Sequence, residues 1–150
     1  MAVTMEQVLA ELKPDEPEYE QAAERLGPEA LPHLLELIAR GDPELASKAA
    51  SLAGFLNTDG SVEALTSAAR SAEPVVRVAA AASLRSLSNV PTDLADSLLL
   101  DQDAGVRKWA LISIEVARPS GLRDRVRAIA ESDPEASLRD LASRVERQLS

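Results

Sequence analysis

The chain has 150 residues and a net charge of −9, with 45% hydrophobic residues but only 2% aromatic residues. This length allows one well-buried domain, whose core must be built from Ala, Leu and Val. The absence of cysteine excludes disulfides, thiolate catalysis and cysteine-based metal sites. The acidic charge disfavours nucleic-acid binding, because phosphate backbones are negatively charged as well.

The N-terminal segment is interrupted by Glu6 and Glu11, so residues 1–12 do not resemble a signal peptide. No apolar run approaches the length of a membrane span. We therefore expect a soluble, cytoplasmic protein with no membrane partner, and the abundance of Ala and scarcity of Lys favour a bacterial source. The charge is uneven: residues 1–42 hold ten acidic and three basic groups, whereas residues 101–150 hold nine of each.

An acidic residue that opens a helix recurs along the chain. The copies are Asp42-Pro43, Glu73-Pro74, Asp103-Ala104 and Asp133-Pro134, with starts 31, 30 and 30 residues apart. An acidic N-cap accepts hydrogen bonds from free amides of the first turn, and Pro at the next position lacks only an amide that would be unpaired. A fixed period of this length is typical of stacked helical repeats.

Apolar residues at positions 3, 7, 11 and 14, counted from the acidic residue, define one helical face. This spacing predicts second helices over 43–57, 74–88, 104–118 and 134–149. Shorter amphipathic segments at 4–12, 28–40, 61–70, 91–100 and 121–131 predict the first helix of each pair. A degraded copy occupies 16–23, and the last copy carries two extra residues, which we place before Leu138.

These patterns predict one all-α domain over 1–150, a right-handed α-solenoid of about five antiparallel helix pairs. Residues 1–27 are expected to form a degenerate capping pair and residues 28–149 four clearer repeats. No strand is predicted, because no segment alternates with period two for long enough to form one.

The string Asp/Glu-Pro-x-Val-Arg-x-x-Ala resembles the start of the second helix in a HEAT-like repeat, of the short kind found in phycobilisome-lyase-type proteins. Residues 73–80 fit it throughout, residues 103–110 lack only the Pro, and Ala46 replaces the Arg in the first copy. The resemblance implies a HEAT/armadillo-like fold whose second helices line the concave face. It also implies that a row of arginines pairs with acidic groups and carbonyls of the neighbouring repeat: Arg77, Arg107 and Arg139. An anion-binding row is the alternative.

No motif for catalysis stands out, since the chain lacks a glycine-rich phosphate loop, a Gly-x-Ser-x-Gly elbow and a His-Glu-x-x-His motif. The only histidine, His33, has no preset carboxylate partner and is expected to pack between helices or lie at the surface. We predict no catalytic residue, no cofactor and no metal. Tyr19 and Phe55 are expected in core or capping positions, and Trp109 is expected to cover a seam between repeats, with a binding anchor as its alternative.

Positions 5, 9 and 12 of the second helices point away from the core at 100° per residue. With Trp109 at their edge, we call them the concave strip: Ser47, Ser51, Val78, Ala82, Arg85, Lys108, Trp109, Ile112, Glu115, Arg144 and Arg147. Gly54 and Asp140 occupy the same positions. Small or apolar residues bordered by charge suit a docked helix or peptide. In the alternative, strong curvature packs the helices together and buries the strip.

The leading prediction is a non-catalytic adaptor or scaffold, a monomer that binds a helix or peptide of another protein along the concave strip. One alternative is a bilin-lyase-like accessory protein, although the scarce aromatics and single histidine disfavour a tetrapyrrole pocket. A HEAT-like nucleic-acid binder would need a basic, aromatic-lined groove, which the net charge disfavours. A neutralising protein of the immunity or antitoxin type is a further alternative.

Overall fold

The computed structural model describes residues 2–149, which form ten α-helices joined by short loops. They are α1 (Met5–Leu12), α2 (Tyr19–Leu26), α3 (Leu31–Arg40), α4 (Pro43–Leu56), α5 (Asp59–Ala69), α6 (Pro74–Ser83), α7 (Thr92–Leu99), α8 (Ala104–Ala117), α9 (Arg123–Ser132) and α10 (Ala136–Glu146). Single 3-10 turns precede α3 and follow α6. The described residues contain no strand, and the predicted all-α fold is confirmed.

Two of the predicted acidic N-caps make the expected hydrogen bonds. Asp42 Oδ1 accepts from the amides of Glu44 and Leu45 at 3.0 and 3.3 Å, and α4 begins at the following Pro43. Asp103 Oδ1 accepts from the Val106 amide at 3.1 Å at the start of α8. These short-range bonds satisfy amides that have no partner inside the helix, which is why both helices begin at these residues.

The last repeat starts differently from the prediction. Helix α10 begins at Ala136 with Glu135 as its N-cap, so Asp133-Pro134 lies in the preceding loop. There Asp133 Oδ1 accepts from the Glu135 amide at 2.9 Å, as Asp101 Oδ1 accepts from Asp103 at 2.9 Å in the repeat before. Asp133 is therefore the counterpart of Asp101 rather than of Asp103, and the two extra residues precede Asp133.

The helices contact one another in two layers. The first helices follow one another in the order α1, α3, α5, α7 and α9, and the second helices in the order α2, α4, α6, α8 and α10. Each helix also packs against its partner in the pair, with the apolar core between the layers. This arrangement is the predicted α-solenoid of helix pairs.

Small residues bring the second helices close together. A Cβ placed on Gly54 would lie 2.9 Å from the Cβ of Ser83, so α4 and α6 meet almost backbone to backbone. Between α6 and α8, Ser113 Oγ donates a 2.6 Å hydrogen bond to the carbonyl oxygen of Ala81. The expectation that Gly54 lies on the open strip is wrong: the residue is buried, because this close crossing turns it toward Ser83.

Candidate functional site: the concave face of the second helices

A cavity of about 690 Å³ opens near the C-terminal ends of the second helices, and we call it the concave groove. Its walls include Glu20, Ala23 and Glu24 of α2, Phe55 of α4, Arg85 after α6, and Val116 of α8. Helices α4 and α6 lie between α2 and α8 in the layer. Residues of α2 and α8 nevertheless line one recess, which supports a layer that curves toward this side.

Two of the chain's three aromatic residues meet at the groove. The rings of Tyr19 and Phe55 are stacked, with centroids 6.1 Å apart and an interplanar angle of 6°. Partial burial raises the pKa of Tyr19 above its ordinary value, and the neighbouring Ser51 side chain opposes the rise. Of the core or capping positions predicted for these residues, a core position is wrong for Phe55, which is 43% exposed where it lines the groove.

Trp109 covers the junction between two repeats, as predicted. Its indole is partly buried against the core, and the guanidinium carbon of Arg85, from the preceding repeat, lies 5.9 Å from the ring centroid. A cation over an aromatic face is attracted by the ring's quadrupole. All three aromatic residues of the chain therefore lie on second helices rather than in the centre of the core.

Exposed apolar side chains are concentrated on the same layer. Among the described residues, the exposed large hydrophobic side chains are Phe55, Val75, Leu100 and Val116, and all but Leu100 lie on second helices. Sequence reasoning missed Val75 and Val116 because it stopped at positions 5, 9 and 12. These two residues occupy positions 2 and 13, which adjoin that face on a helical wheel and could have been found there.

The apolar part of the concave strip is neither fully open nor packed away. Val78, Ala82 and Ile112 are partly buried, with Val78 packed against the core. Ser47 and Ser51 are partly buried too, and Ser47 Oγ donates to the carbonyl oxygen of Pro43 at 2.6 Å. The strip therefore offers a shallow, weakly polar surface between more exposed side chains.

Two charged residues of the strip bind each other. Arg144 Nε and Nη2 donate to the Glu115 carboxylate at 2.9 and 3.0 Å across α8 and α10. These hydrogen bonds from Arg144 lower the pKa of Glu115. Lys108 and Arg147 are exposed and form no ion pair within the described residues. Of the basic residues predicted in the strip, Arg85, Lys108 and Arg147 therefore remain outside this ion pair.

The row of arginines lies away from the concave groove and links the repeats. Arg77 donates through Nε and Nη2 to the Asp101 carboxylate at 2.9 and 3.3 Å. Its Nη1 donates to the carbonyl oxygens of Ser71 and Ala72 in the loop before its own helix. With both sides of the guanidinium used, Arg77 serves the structure, and an anion would have to displace these bonds.

The next repeat forms the same link. Arg107 donates through Nε and Nη2 to Asp133 at 2.8 and 3.2 Å, and through Nη1 to the Asp101 carbonyl oxygen at 2.9 Å. Burial opposes ionisation of Asp133, but the hydrogen bonds from Arg107 and from the Glu135 amide outweigh it and lower the pKa of this carboxyl. Arg139 donates to the Asp133 carbonyl oxygen at 2.6 Å, so the whole row has a packing role.

The only histidine of the chain has a packing contact. His33 Nε2 lies 2.8 Å from the carbonyl oxygen of Val3 and ties the segment before α1 to α3, which is the predicted helix-packing role. Within residues 2–149, no three or more His, Asp or Glu side chains are arranged to hold a metal ion. No helix in this part of the chain is long and apolar enough to cross a membrane.

Comparison with known proteins assigns the architecture. The family profile of HEAT repeats matches residues 31–115, from the start of α3 into the last turn of α8. The chain belongs to the HEAT-repeat family. The match covers the three most regular helix pairs and does not single out the phycobilisome-lyase type. HEAT repeats commonly mediate protein–protein interaction and are generally non-catalytic. No curated protein matches the chain.

Proposed function

We propose that this HEAT-repeat protein is a non-catalytic interaction module that binds a segment of another protein on its concave face. The observation that carries the proposal is the placement of exposed apolar side chains. Phe55 and Val116, which are 43% and 61% exposed, both line the concave groove, and Val75, which is 53% exposed, lies at the start of α6 outside that lining. Single exposed hydrophobic residues are normal on a protein surface, but a group on one curved layer is typical of a binding surface.

The shape and composition of the concave groove support the same function. A recess of about 690 Å³ accepts several side chains of a helix or an extended peptide. Aromatic and Arg side chains are enriched at protein interfaces, and here Phe55 stacks on Tyr19 while Arg85 lies over Trp109. Because these side chains are already ordered by each other, less entropy is lost when a partner binds.

The test compares three baits in affinity capture from cells that express the protein, with quantitative mass spectrometry. The variant Phe55→Asp/Val116→Asp is expected to lose the proteins that wild type captures, because it places charge in the groove. The control is Leu100→Asp, since Leu100 is 74% exposed but lies just after a first helix, α7. Leu100→Asp should retain those proteins.

Both variants are first compared with wild type in thermal unfolding followed by circular dichroism. Exposed positions of this kind are expected to change stability little. If Phe55→Asp/Val116→Asp folds normally and captures the same proteins as wild type, the concave face is not the binding surface. Equal loss with Leu100→Asp would also contradict the proposal, because the effect would then not depend on the face.

A further inference from the structure

We infer that the segment bound on the concave face is dipolar, with an apolar centre, basic side chains at the end over α2 and acidic side chains at the end over α8 and α10. This inference deepens the proposed function and rests on it. It is drawn from the order of charges along the second helices, which runs from acidic through neutral to basic.

The α2 end of the groove is acidic. Glu20 and Glu24 are exposed, line the groove, and form no ion pair within the described residues. The basic residue of the same helix, Arg25, is turned to the other side, where its Nη2 lies 2.7 Å from Glu11 Oε2. Two carboxylates therefore face the position of a bound segment without a compensating charge on α2.

The middle of the face is nearly neutral. Its side chains at positions 5 and 9 of α4 and α6 carry no charge: Ser47, Ser51, Val78 and Ala82. Glu44 and Lys48 of α4 pair with each other at 3.4 Å. Arg85, the cation that follows α6, lies over the Trp109 ring. A bound segment consequently meets small and apolar side chains here, so its own central residues should be apolar.

The opposite end is basic. The cluster over α8 and α10 holds four cations and two carboxylates, a net charge of +2: Lys108, Arg118, Arg144, Arg147, Glu115 and Asp140. Arg144 already binds Glu115, and Arg118 Nη2 donates to Gln148 Oε1 at 2.9 Å. Lys108 and Arg147 are left exposed, and they would meet acidic side chains of the partner.

Charges of opposite sign at the two ends would select both the composition and the orientation of a bound segment. Complementary charges steer encounter and exclude wrong partners more than they raise affinity. A uniformly basic segment is repelled at α8 and α10, and a uniformly acidic one is repelled at α2. Only a segment with both signs satisfies the two ends together.

The experiment uses a random-peptide phage library panned on three purified proteins. Wild type should enrich peptides with Lys or Arg on one flank of an apolar centre and Asp or Glu on the other. Glu20→Lys/Glu24→Lys should instead enrich peptides that are acidic on both flanks. The control Glu6→Lys/Glu63→Lys makes the same change of net charge at exposed positions of first helices, and it should keep the wild-type preference.

The best wild-type peptide is then labelled and titrated by fluorescence anisotropy. We expect its Kd to rise about tenfold on Glu20→Lys/Glu24→Lys at low salt and to be unchanged on the control. The difference should shrink in 1 M salt, where exposed charges are screened. The Kd for Glu20→Gln/Glu24→Gln, which introduces no repulsion, should lie between those of wild type and the reversed variant. This milder variant shows that the loss of affinity follows the charge and not a folding defect.

Two results would overturn the inference. In the first, the peptides enriched on wild type carry the same sign of charge on both flanks. In the second, Glu20→Lys/Glu24→Lys enriches the same peptides as wild type. Failure of wild type to enrich any peptide would overturn it too. In each case the capture comparison of Phe55→Asp/Val116→Asp with Leu100→Asp still stands as a separate test of the binding face. The inference can therefore fail while the proposed function stands, and the capture comparison shows which of the two has failed.

Discussion

The buried side chain of Asp133 is one of the contacts that connect the last two repeats. Both carboxylate oxygens accept from Arg107, one also accepts from the Glu135 amide, and the side chain is 3% exposed. Burial makes such a pair sensitive to the loss of one member, because the remaining charge is left without water or a partner. The ion pair therefore stabilises the protein when both partners are present, and the loss of either partner is destabilising.

We predict that Asp133→Ala lowers the free energy of unfolding by roughly 3 kcal/mol, because the mostly buried Arg107 guanidinium keeps its bonds to backbone carbonyl oxygens but loses its counter-charge. Urea unfolding followed by circular dichroism measures the change. The control is Asp96→Ala, which breaks the exposed ion pair with Arg125 and should change the midpoint little. A change at Asp133 no larger than that at Asp96 would contradict the buried link.

The same carboxyl predicts a pH dependence. The pKa of Asp133 is lower in the folded protein than its ordinary value of 3.8, so its contribution to stability is present above that value. The contribution is lost as the pH falls through the lower, folded pKa. The stability difference between wild type and Asp133→Asn should therefore shrink on going from pH 7 to about pH 3. Urea titrations at several pH values measure it, and a constant difference would refute the linkage.

The second helices depend on small residues at their crossings. Gly54→Ala would ordinarily favour a helix by about 1 kcal/mol, since Ala is the better helix former. Here the added Cβ would lie 2.9 Å from Ser83 Cβ and 3.2 Å from its carbonyl oxygen, so α4 and α6 must move apart. We predict that Gly54→Ala instead destabilises the protein by roughly 1–2 kcal/mol in chemical unfolding.

A double-mutant cycle with Ser83→Gly supplies the control. Removing the Ser83 side chain takes away the nearest obstacle, so Gly54→Ala should cost less in the Ser83→Gly background than in wild type. Equal costs in both backgrounds would show that the two helices do not meet through these residues.

The whole molecule is a linear stack, in which each helix pair contacts mainly its neighbours. The N-terminal pair is the least buried: α1 buries Val8 and Leu12, and α2 buries only Ala22, whereas α4 buries six residues. Opening of this pair exposes little apolar surface and so requires less free energy than opening of the central repeats.

We predict that, among the helices, hydrogen exchange measured by mass spectrometry is fastest in α1 and α2 and slowest in α4, α6 and α8. The expected gradient follows the number of buried side chains per helix. Uniform protection along all ten helices would instead indicate one cooperative unit. The gradient also bears on function, because Glu20 and Glu24 line the less protected end of the concave groove.

Prediction from the sequence succeeded where a single helix contains the information. Helix α8 was expected over 104–118 and spans Ala104–Ala117, since its Asp103 cap and its apolar spacing are both local. The start of α10 was missed, because Asp133-Pro134 has the residue types of an N-cap followed by Pro but is held in the loop by Arg107 of the preceding repeat. That contact joins residues 26 positions apart and leaves no local pattern.

The sequence by itself determined the helix pairs, their stacking and a core without fully buried aromatic side chains, because composition is read directly and caps and apolar periodicity act within a few turns. Only the tertiary structure decided that Phe55 and Val116 share one groove with α2, that Gly54 is buried, and that Arg144 is bound by Glu115. The curvature of the layer results from the distances between neighbouring helices at each successive crossing. Those distances depend on contacts such as Gly54 with Ser83, between residues far apart in the chain.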